Sequence, residues 1–311
     1  MMITVLSLSP AVDKIYIIDN FAAGGLYRVG NCLQSAGGKG INVSRVAKML
    51  GVDVRTLGFK AGSTGQWLEK CLLDLGVRTG FVAVEGQSRT NNNIIDKVNN
   101  RETEILEEGP TISGQAWEAF MASFMESVAE SSVLVCSGGL PKGLGPDTYA
   151  KLIAEAKKIG IKTMLDSSGD VLKQGINACP YLIKPNLREL SMHFNTNFEN
   201  DDQIVTACRT LIKRGVKVVV TSLGEKGALL VTGEGAWKAF PLKVEVLNTI
   251  GSGDSMVAGM ARGLAEGLSV IDSFRLGCAC GASNTEFFGI GLIDTARVDK
   301  LQQSLIIESI G

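Results

Sequence analysis

Uninterrupted apolar runs, VLVC at 133–136 and VVV at 218–220, recur along the 311-residue chain between longer stretches of helical period. A strand with apolar side chains on both faces must be covered on both faces, which is the condition of a parallel sheet sandwiched by helices. Candidate strands lie at 3–8, 54–57, 133–136, 162–165, 182–184 and 217–221. Candidate helices lie at 40–50, 65–75, 113–129, 147–159, 202–214, 254–263, 271–284 and 299–307. In the first of these helices Val43, Val46, Ala47 and Leu50 recur at the spacing of one helical face. Gly145 and Pro146 before Asp147, and Ser269 before Asp272, have the chemistry of helix starts. Strand and helix in alternation predict a doubly wound α/β fold, a mostly parallel sheet flanked by helices.

Two stretches depart from that rhythm. Residues 14–34 and 88–106 carry alternating or polar strand-like text with no helix behind it. Within the second, NNNIIDKVNNRETEIL reads as two short strands around a turn at Asn99 and Asn100. Inserted into an α/β scaffold, such strands form either a small separate sheet over a site or a pair of surface hairpins. No low-complexity linker or internal repeat divides the chain, so one domain over 1–311 carrying these two insertions is expected.

Composition limits the chemistry. With 31 Lys and Arg against 32 Asp and Glu, the formal charge of −1 argues against a whole-surface basic footprint for nucleic acid or an anionic membrane. No apolar run reaches the roughly 18 residues of a membrane helix. MMITVLSLSP lacks the basic n-region and long apolar core of a secretory signal. A cytoplasmic protein with no membrane or nucleic-acid partner is the expectation. The seven scattered cysteines, without a CxxC pair, read as reduced thiols. His193 is the single histidine, so no His-rich metal centre is available. It falls at the end of an expected helix, where the dipole favours a cation. General-base work is left to a carboxylate, a lysine or a tyrosine.

Two glycine-rich turns leading into helices are the candidate chemical centres. In NTIGSGDSMVAGMARGL, 248–264, Gly251, Ser252 and Gly253 can aim backbone N–H groups at one point, and the following helix adds the positive end of its dipole. A phosphate suits such a turn, and Asp254 at its end can accept the proton of a hydroxyl attacking that phosphate. Alone, GSGD is also an ordinary helix start with glycines for positive φ, so the motif needs partners. In AGGKGINVSRVAKMLG, 36–51, Gly37 and Gly38 permit close approach to a ligand, Lys39 adds a point charge, and Asn42 places an amide near the helix start. Neither turn is a Walker loop. Neither is GxGxxG with an acidic residue on the next strand, which disfavours a nicotinamide-dependent oxidoreductase.

Three smaller features each have two readings. KPNLREL, 184–190, sets Asn186 and Glu189 three apart on one helical face, as an N-cap with its capping-box acid or as outer-sphere contacts for hydrated Mg²⁺. TSLGEKGALL, 221–230, offers Ser222, Gly224 and Lys226 to a nucleotide phosphate or forms a plain hairpin. Arg89 of SRTN, 88–91, forks onto a phosphate or lies exposed on a hairpin.

Taken together, GGKGINVSR and IGSGDSMVAG at this separation resemble the paired signatures of the ribokinase-like (PfkB) carbohydrate kinases. SPAVD at 9–13, RTN at 89–91, TEILEEGP at 103–110, SGGLPKGL at 137–144, YLIKPNLREL at 181–190 and TSLGEKGALL follow in the family's order. The resemblance therefore spans nearly the whole chain, and within the family it points to the branch of 1-phosphofructokinase and tagatose-6-phosphate kinase.

The resemblance implies roles for individual residues. Asp254 would be the catalytic base, with Gly251, Ser252 and Gly253 as the anion hole. Asp13, Gly37, Gly38 and Asn42 would hold the sugar hydroxyls. Lys39, Arg89, Asn91 and Ser137 would face the phosphate already on the sugar. Lys184, Asn186, Ser222, Gly224, Lys226 and Gly227 would contact ATP, with Asn284 and its neighbours near the adenine. Asn186 and Glu189 match the family's Asn-x-x-Glu motif, which positions Mg²⁺ and its waters. The stretches 14–34 and 88–106 correspond to the family's β-lid, which in many members pairs subunits into a homodimer. Relatives that take free sugars share the GGKG turn, so Arg89 and Asn91 weigh more than Lys39 for a phosphorylated substrate. Asn248 stands where several relatives carry an aspartate that helps bind a monovalent cation, which weighs against a potassium requirement. The implied activity is ATP- and Mg²⁺-dependent phosphorylation of a small-molecule ketohexose monophosphate. Fructose 1-phosphate is the first choice through INVSR, and tagatose 6-phosphate the second through TEILEEGP and GSGDS. A non-catalytic sugar-phosphate sensor on the same fold is the alternative of a different class, and Asp254 speaks against it.

Overall fold

A computed structural model describes residues 1–30 and 32–311. The chain begins with β1 (Met2–Ser7), leaves the main sheet for β2 (Ala11–Ile17) and β3 (Cys32–Gly37), and returns through α1 (Lys39–Met49) to β4 (Asp53–Ala61). After α2 (Gly62–Asp74) and β5 (Arg78–Val84) it departs again for β6 (Arg89–Asp96) and β7 (Arg101–Leu106). Next come α3 (Gly114–Ala129), β8 (Val133–Ser137), α4 (Thr148–Lys158), β9 (Lys162–Asp166), α5 (Gly169–Asn177) and β10 (Leu182–Ile183). The C-terminal part holds α6 (Leu187–Phe194), α7 (Asp201–Lys213), β11 (Val218–Ser222), β12 (Ala228–Thr232) and β13 (Ala236–Ala239). It ends with α8 (Ser252–Ala265), α9 (Val270–Thr285), α10 (Thr295–Ser304) and β14 (Ile307–Ser309).

The main sheet runs β14-β13-β12-β11-β10-β9-β8-β1-β4-β5, parallel from β11 to β5 and antiparallel over its last three strands. The unalternating runs behave as their composition requires. Val133 and Val135 enter the core beneath α1, α8 and α9, while Leu134 and Cys136 of the same strand enter the core beneath α3, α4 and α7. The winding direction reverses at β1, which lies between β8 and β4, and at such a switch point the carboxyl ends of the strands leave a crevice.

The second sheet, in the order β3-β2-β6-β7, takes in both irregular stretches, but their limits differ from the sequence reading. Pairing of β2 with β3 runs from Ala11 opposite Gly37 to Tyr16 opposite Cys32. Residues 18–30 make no strand. Ile15 and Ile94, apolar residues of the insertions, are buried within this one chain, whereas Ile17 stays exposed. The helix expected at 299–307 begins earlier, capped by Asp294 accepting from Arg297 N, and ends at Ser304, with Ile307 starting β14 beside β13.

His193 does stand in the last turn of α6, but burial and the cations Arg214 and Lys173 hold its pKa below the usual value, so the neutral ring is favoured over a dipole-stabilised cation. All seven cysteines are free. Among the described residues no helix is long and apolar enough to cross a membrane.

Candidate active site

A cavity of about 1130 Å³ lies where the carboxyl ends of the central strands, the N-terminus of α8 and one face of the small sheet meet. Each contributing element ends there for a local reason. The N-cap of α8 is Gly251 at φ 83°, and a Cβ at this position would press on Ile290 Cγ2 at 2.8 Å, so the turn requires glycine. Asn284 secures the turn from behind: its Nδ2 donates to Ile250 O (2.9 Å) and its Oδ1 accepts from Gly291 N (2.9 Å). Ser252 N turns back onto Thr249 O (3.3 Å). The first-turn N–H groups of Gly253 and Asp254 have no acceptor inside their own helix, as at any helix start. They are the donors left for an anion.

Asp254 occupies that first turn and is only 6% exposed. Asn42 Nδ2, from the first turn of α1, donates to its Oδ2 at 2.8 Å. Arg45 aims that amide, with Nη1 3.5 Å from Asn42 Oδ1 and further bonds to Ile290 O (2.7 Å) and Ala36 O. Burial raises the Asp254 pKa to about 6 against the pull of Lys39, and neighbouring Asp166 pushes the same way as burial.

Asp166, at the carboxyl end of β9, receives Lys184 Nζ at 3.3 Å and Lys39 Nζ at 3.4 Å on one oxygen. Burial alone would protonate it, but the two lysines hold its pKa below the ordinary value. Lys39 in turn stays protonated: burial works against its charge, and Asp166, Asp254 and Glu189 outweigh burial. Two ammonium groups and two carboxylates thus share one corner of the cavity, and Asp254 is the carboxylate whose pKa is raised.

On the small sheet, Asp13 of β2 lies in register with Asn91 of β6. Asn91 Nδ2 donates to Asp13 Oδ1 (2.7 Å) and Gly38 N points at Asp13 Oδ2 (3.4 Å). Burial still raises the Asp13 pKa, with Asn91 the strongest opposing influence. Gly37 makes this arrangement possible, since a Cβ there would collide with the Asp13 carboxylate. Arg89 Nη1 donates to Asn91 Oδ1 (2.8 Å), and its Nε and Nη2 reach Ser9 O, which leaves outer N–H groups of the fork for a ligand.

The sequence-expected residues divide as follows. Asp13, Gly38, Lys39, Asn42, Arg89, Asn91, Lys184, Asn186, Ser222, Gly224, Gly227 and the turn from Gly251 to Asp254 all line the cavity. Five others do not line it. Gly37 admits Asp13 from beneath, and Asn284 is fully buried behind the turn, where its neighbours Ala282 and Thr285 face the cavity in its place. Ser137 is buried at the end of β8. Lys226 projects outward from the 3₁₀ turn Gly224–Lys226, an outcome of the tight hairpin between β11 and β12. Glu189 stands behind Lys39, with Oε1 at 3.6 Å from Nζ.

Asn186 and Glu189 form a complete capping box, Asn186 Oδ1 accepting from Glu189 N (2.8 Å) and Glu189 Oε2 from Asn186 N (2.9 Å). The helix-start reading of that pair is therefore realised, with Glu189 Oε1 turned to Lys39 Nζ and Asn186 still on the cavity wall. Asn248 engages both ends of its amide with backbone, at Phe288 O (2.8 Å) and Ile250 N (2.9 Å). Among the described residues no group of three or more His, Cys, Asp or Glu side chains could hold a metal ion. This donor set suits a cation that keeps most of its water and arrives on a ligand's phosphates, as Mg²⁺ does, and not an ion held by a protein cage.

Sequence reasoning missed Asp166, Arg45 and the stretch of Pro241, Leu242 and Val244 in the cavity wall. For Asp166 a signal existed: an aspartate closing the apolar strand KTMLD at its carboxyl end.

The chain's sequence matches the model of the pfkB family carbohydrate kinases over residues 3–293. It is 35% identical over 307 residues to the 1-phosphofructokinase of Bacillus subtilis, covering 96% of this chain and 100% of that protein. It is 36% identical over 311 residues to the tagatose-6-phosphate kinase of Staphylococcus epidermidis, covering 99% and 100%. The structure of phosphofructokinase-2 from Escherichia coli in complex with substrates and products superimposes with a TM-score of 0.91, at 30% identity, over 97% of this chain and 99% of that one.

Proposed function

The chain belongs to the pfkB family of carbohydrate kinases, and on that premise we propose that it transfers the γ-phosphoryl group of ATP to a free hydroxyl of a ketohexose monophosphate. One observation carries the reading: Asp254, buried beside unpartnered N–H groups at a helix start, shares its cavity with the Asp13, Asn91 and Arg89 cluster. The cluster supplies acceptors and donors for sugar hydroxyls and a guanidinium for the phosphate already present. The sugar hydroxyl attacks phosphorus as its proton passes to an Asp254 carboxylate oxygen, the new O–P bond forms, and ADP departs. Asn42 orients that carboxylate, and the Gly253 and Asp254 N–H groups with Lys39 and Lys184 face the charge on the transferred group. Mg²⁺, when bound on the nucleotide, would screen its phosphates, its waters meeting Asn186 on the cavity wall and reaching Glu189 only through further water. The apolar wall of Pro241, Leu242 and Val244 suits a nucleotide base.

Fructose 1-phosphate is the first choice of substrate and tagatose 6-phosphate the alternative, since relatives of both names match at nearly the same identity. A sensor without catalysis has no use for a carboxylate so placed, and every named relative is a kinase. Seven free thiols suit a reducing compartment such as the cytoplasm. The exposed apolar side chains of the small sheet and its loop, Leu26 at 87% exposure and Leu33 among them, support pairing of two copies through that sheet. A coupled ADP-release assay over ketohexose monophosphates and free ketohexoses, with ATP and Mg²⁺, tests the reading. Rapid turnover of one ketohexose monophosphate supports it, and turnover confined to free sugars overturns it.

A further inference from the structure

The cavity-facing side of the small sheet extends beyond the residues with assigned roles. Arg89, Asn91 and Asn93 alternate along β6 and so share one face. Across the sheet they meet Ala11, Asp13 and Ile15 of β2, and on the other side Leu106 and Glu104 of β7 stand opposite Asn91 and Asn93. All three β6 residues line the cavity, as do Glu104 and Leu106. Arg89 and Asn91 are hydrogen-bonded to Ser9, to Asp13 and to each other, the guanidinium keeping its outer N–H groups. Asn93 differs. It is 4% exposed, and its Oδ1 is buried with no hydrogen-bond partner.

A buried amide oxygen without a donor is costly, and folds keep few of them. A leucine or valine would be the ordinary choice beside Ile15. What the position offers is an acceptor about 7 Å beyond Asn91 along the strand, with Glu104 opposite it in register on β7 and also lining the cavity. Two neighbouring acceptors disfavour a phosphate and favour a neutral group with O–H donors. The face is therefore graded, from a guanidinium at Arg89 to acceptors at Asn93 and Glu104.

We propose that Asn93 is a specificity-determining residue whose Oδ1 accepts a hydrogen bond from a hydroxyl of the bound sugar phosphate. The inference rests on the proposed function, because it takes a polyhydroxylated monophosphate as the occupant. Sugar binding supplies the missing donor, and a ligand with no hydroxyl at that point leaves the amide unpaired. Discrimination between ketohexose phosphates that differ in one hydroxyl arises at this contact, on the non-reacting side of the sugar.

The test is steady-state kinetics on wild type, Asn93→Leu and Asn93→Ala with fructose 1-phosphate and tagatose 6-phosphate, alongside thermal denaturation. Loss of the contact is expected to raise the KM for the better sugar phosphate by about 5- to 100-fold. The KM for ATP should stay within twofold and kcat within a few-fold, and the ratio of kcat/KM between the two sugars should shift. Because Asn93→Leu removes an unsatisfied buried group, its melting temperature should equal or exceed that of wild type. Asn93→Ala guards against a leucine that does not fit. An unchanged sugar-phosphate KM in an active, folded variant overturns the inference while leaving the proposed function standing. So does a fall in stability with both KM values rising together, which marks a structural amide. A wild type that turns over neither sugar phosphate overturns both.

Discussion

Asp254→Asn is expected to slow the reaction and stabilise the fold at once. The carboxyl titrates at about 6 in the folded protein against 3.8 when unperturbed, burial being the chief cause. Between those values the folded state keeps a proton that the unfolded chain has released, so stability falls as pH rises through the window and is lowest above about 6. At about 1.4 kcal/mol per tenfold, the difference corresponds to up to about 3 kcal/mol at pH 8. An amide of the same shape can keep one hydrogen bond with Asn42 and carries no buried charge. The variant should therefore gain stability at pH 8 and little at pH 4.

The kinetic consequence has the opposite sign. A positioned base contributes roughly 10²–10⁴ in rate, equivalent to about 3–5 kcal/mol, and a loose phosphoryl-transfer transition state favours the lower figure. Below about pH 6 wild-type kcat/KM should fall tenfold per pH unit as Asp254 is protonated. The residual profile of Asp254→Asn carries only the ionisations of the phosphorylated substrates, so the difference between the two profiles isolates the carboxylate. The measurements are ADP release from pH 5 to 8 and urea denaturation at pH 4 and 8. A variant within a few-fold of wild type, with a parallel pH profile, leaves Asp254 as a first-turn helix residue and sends the search for the base elsewhere.

Three other outcomes follow from the same geometry. Arg89→Ala should raise the KM for the sugar phosphate by roughly 10- to 100-fold with little change for ATP, the usual cost of losing a charged hydrogen-bond donor, and equal turnover of fructose and fructose 1-phosphate by wild type would refute the phosphate pocket. Sedimentation should find a dimer at micromolar concentration that Leu33→Asp shifts towards monomer, whereas a fully active wild-type monomer rules out pairing through the small sheet. Gly251→Ala should lower both stability and kcat, because φ 83° and the 2.8 Å approach to Ile290 leave no room for a methyl group; unaltered values would show that the turn does not need its present shape.

Residue pattern made the main sheet legible because burial on both faces writes itself into consecutive apolar residues, as at 133–136 and 218–220. It also marked the small sheet as something other than the helix-covered sheet, since polar and apolar residues mix there. Short pieces escaped. β14 has three residues, too few for any period, and owes its existence to pairing with β13 across a long sequence separation, while β13 closes a short hairpin onto β12. The helix α5 was missed because its buried residues, Leu172, Gly175 and Ile176, are few and one of them is glycine.

Legibility of the site divides along a similar physical line. Turn geometry is local, so Gly251, Asp254, Gly38 and Lys39 announce themselves through glycine and charge at helix starts. Contacts set by strand register do not. Nothing near Asp166 in the chain indicates that Lys39, 127 residues away, will lie at 3.4 Å, or that Lys184 will reach the same oxygen. Asn93 is hidden for a related reason, since within NNN three identical side chains look alike until the pairing of β6 with β2 turns Asn91 and Asn93 to the cavity and Asn92 away from it. A period of two then separates the residues that can meet a ligand from the one that cannot, and a slip of one residue in that register would exchange them. On the proposed assignment, strand pairing specifies the sugar side and two turns the phosphoryl-transfer side. Substitutions that loosen the small sheet should accordingly disturb sugar recognition before they disturb the position of Asp254.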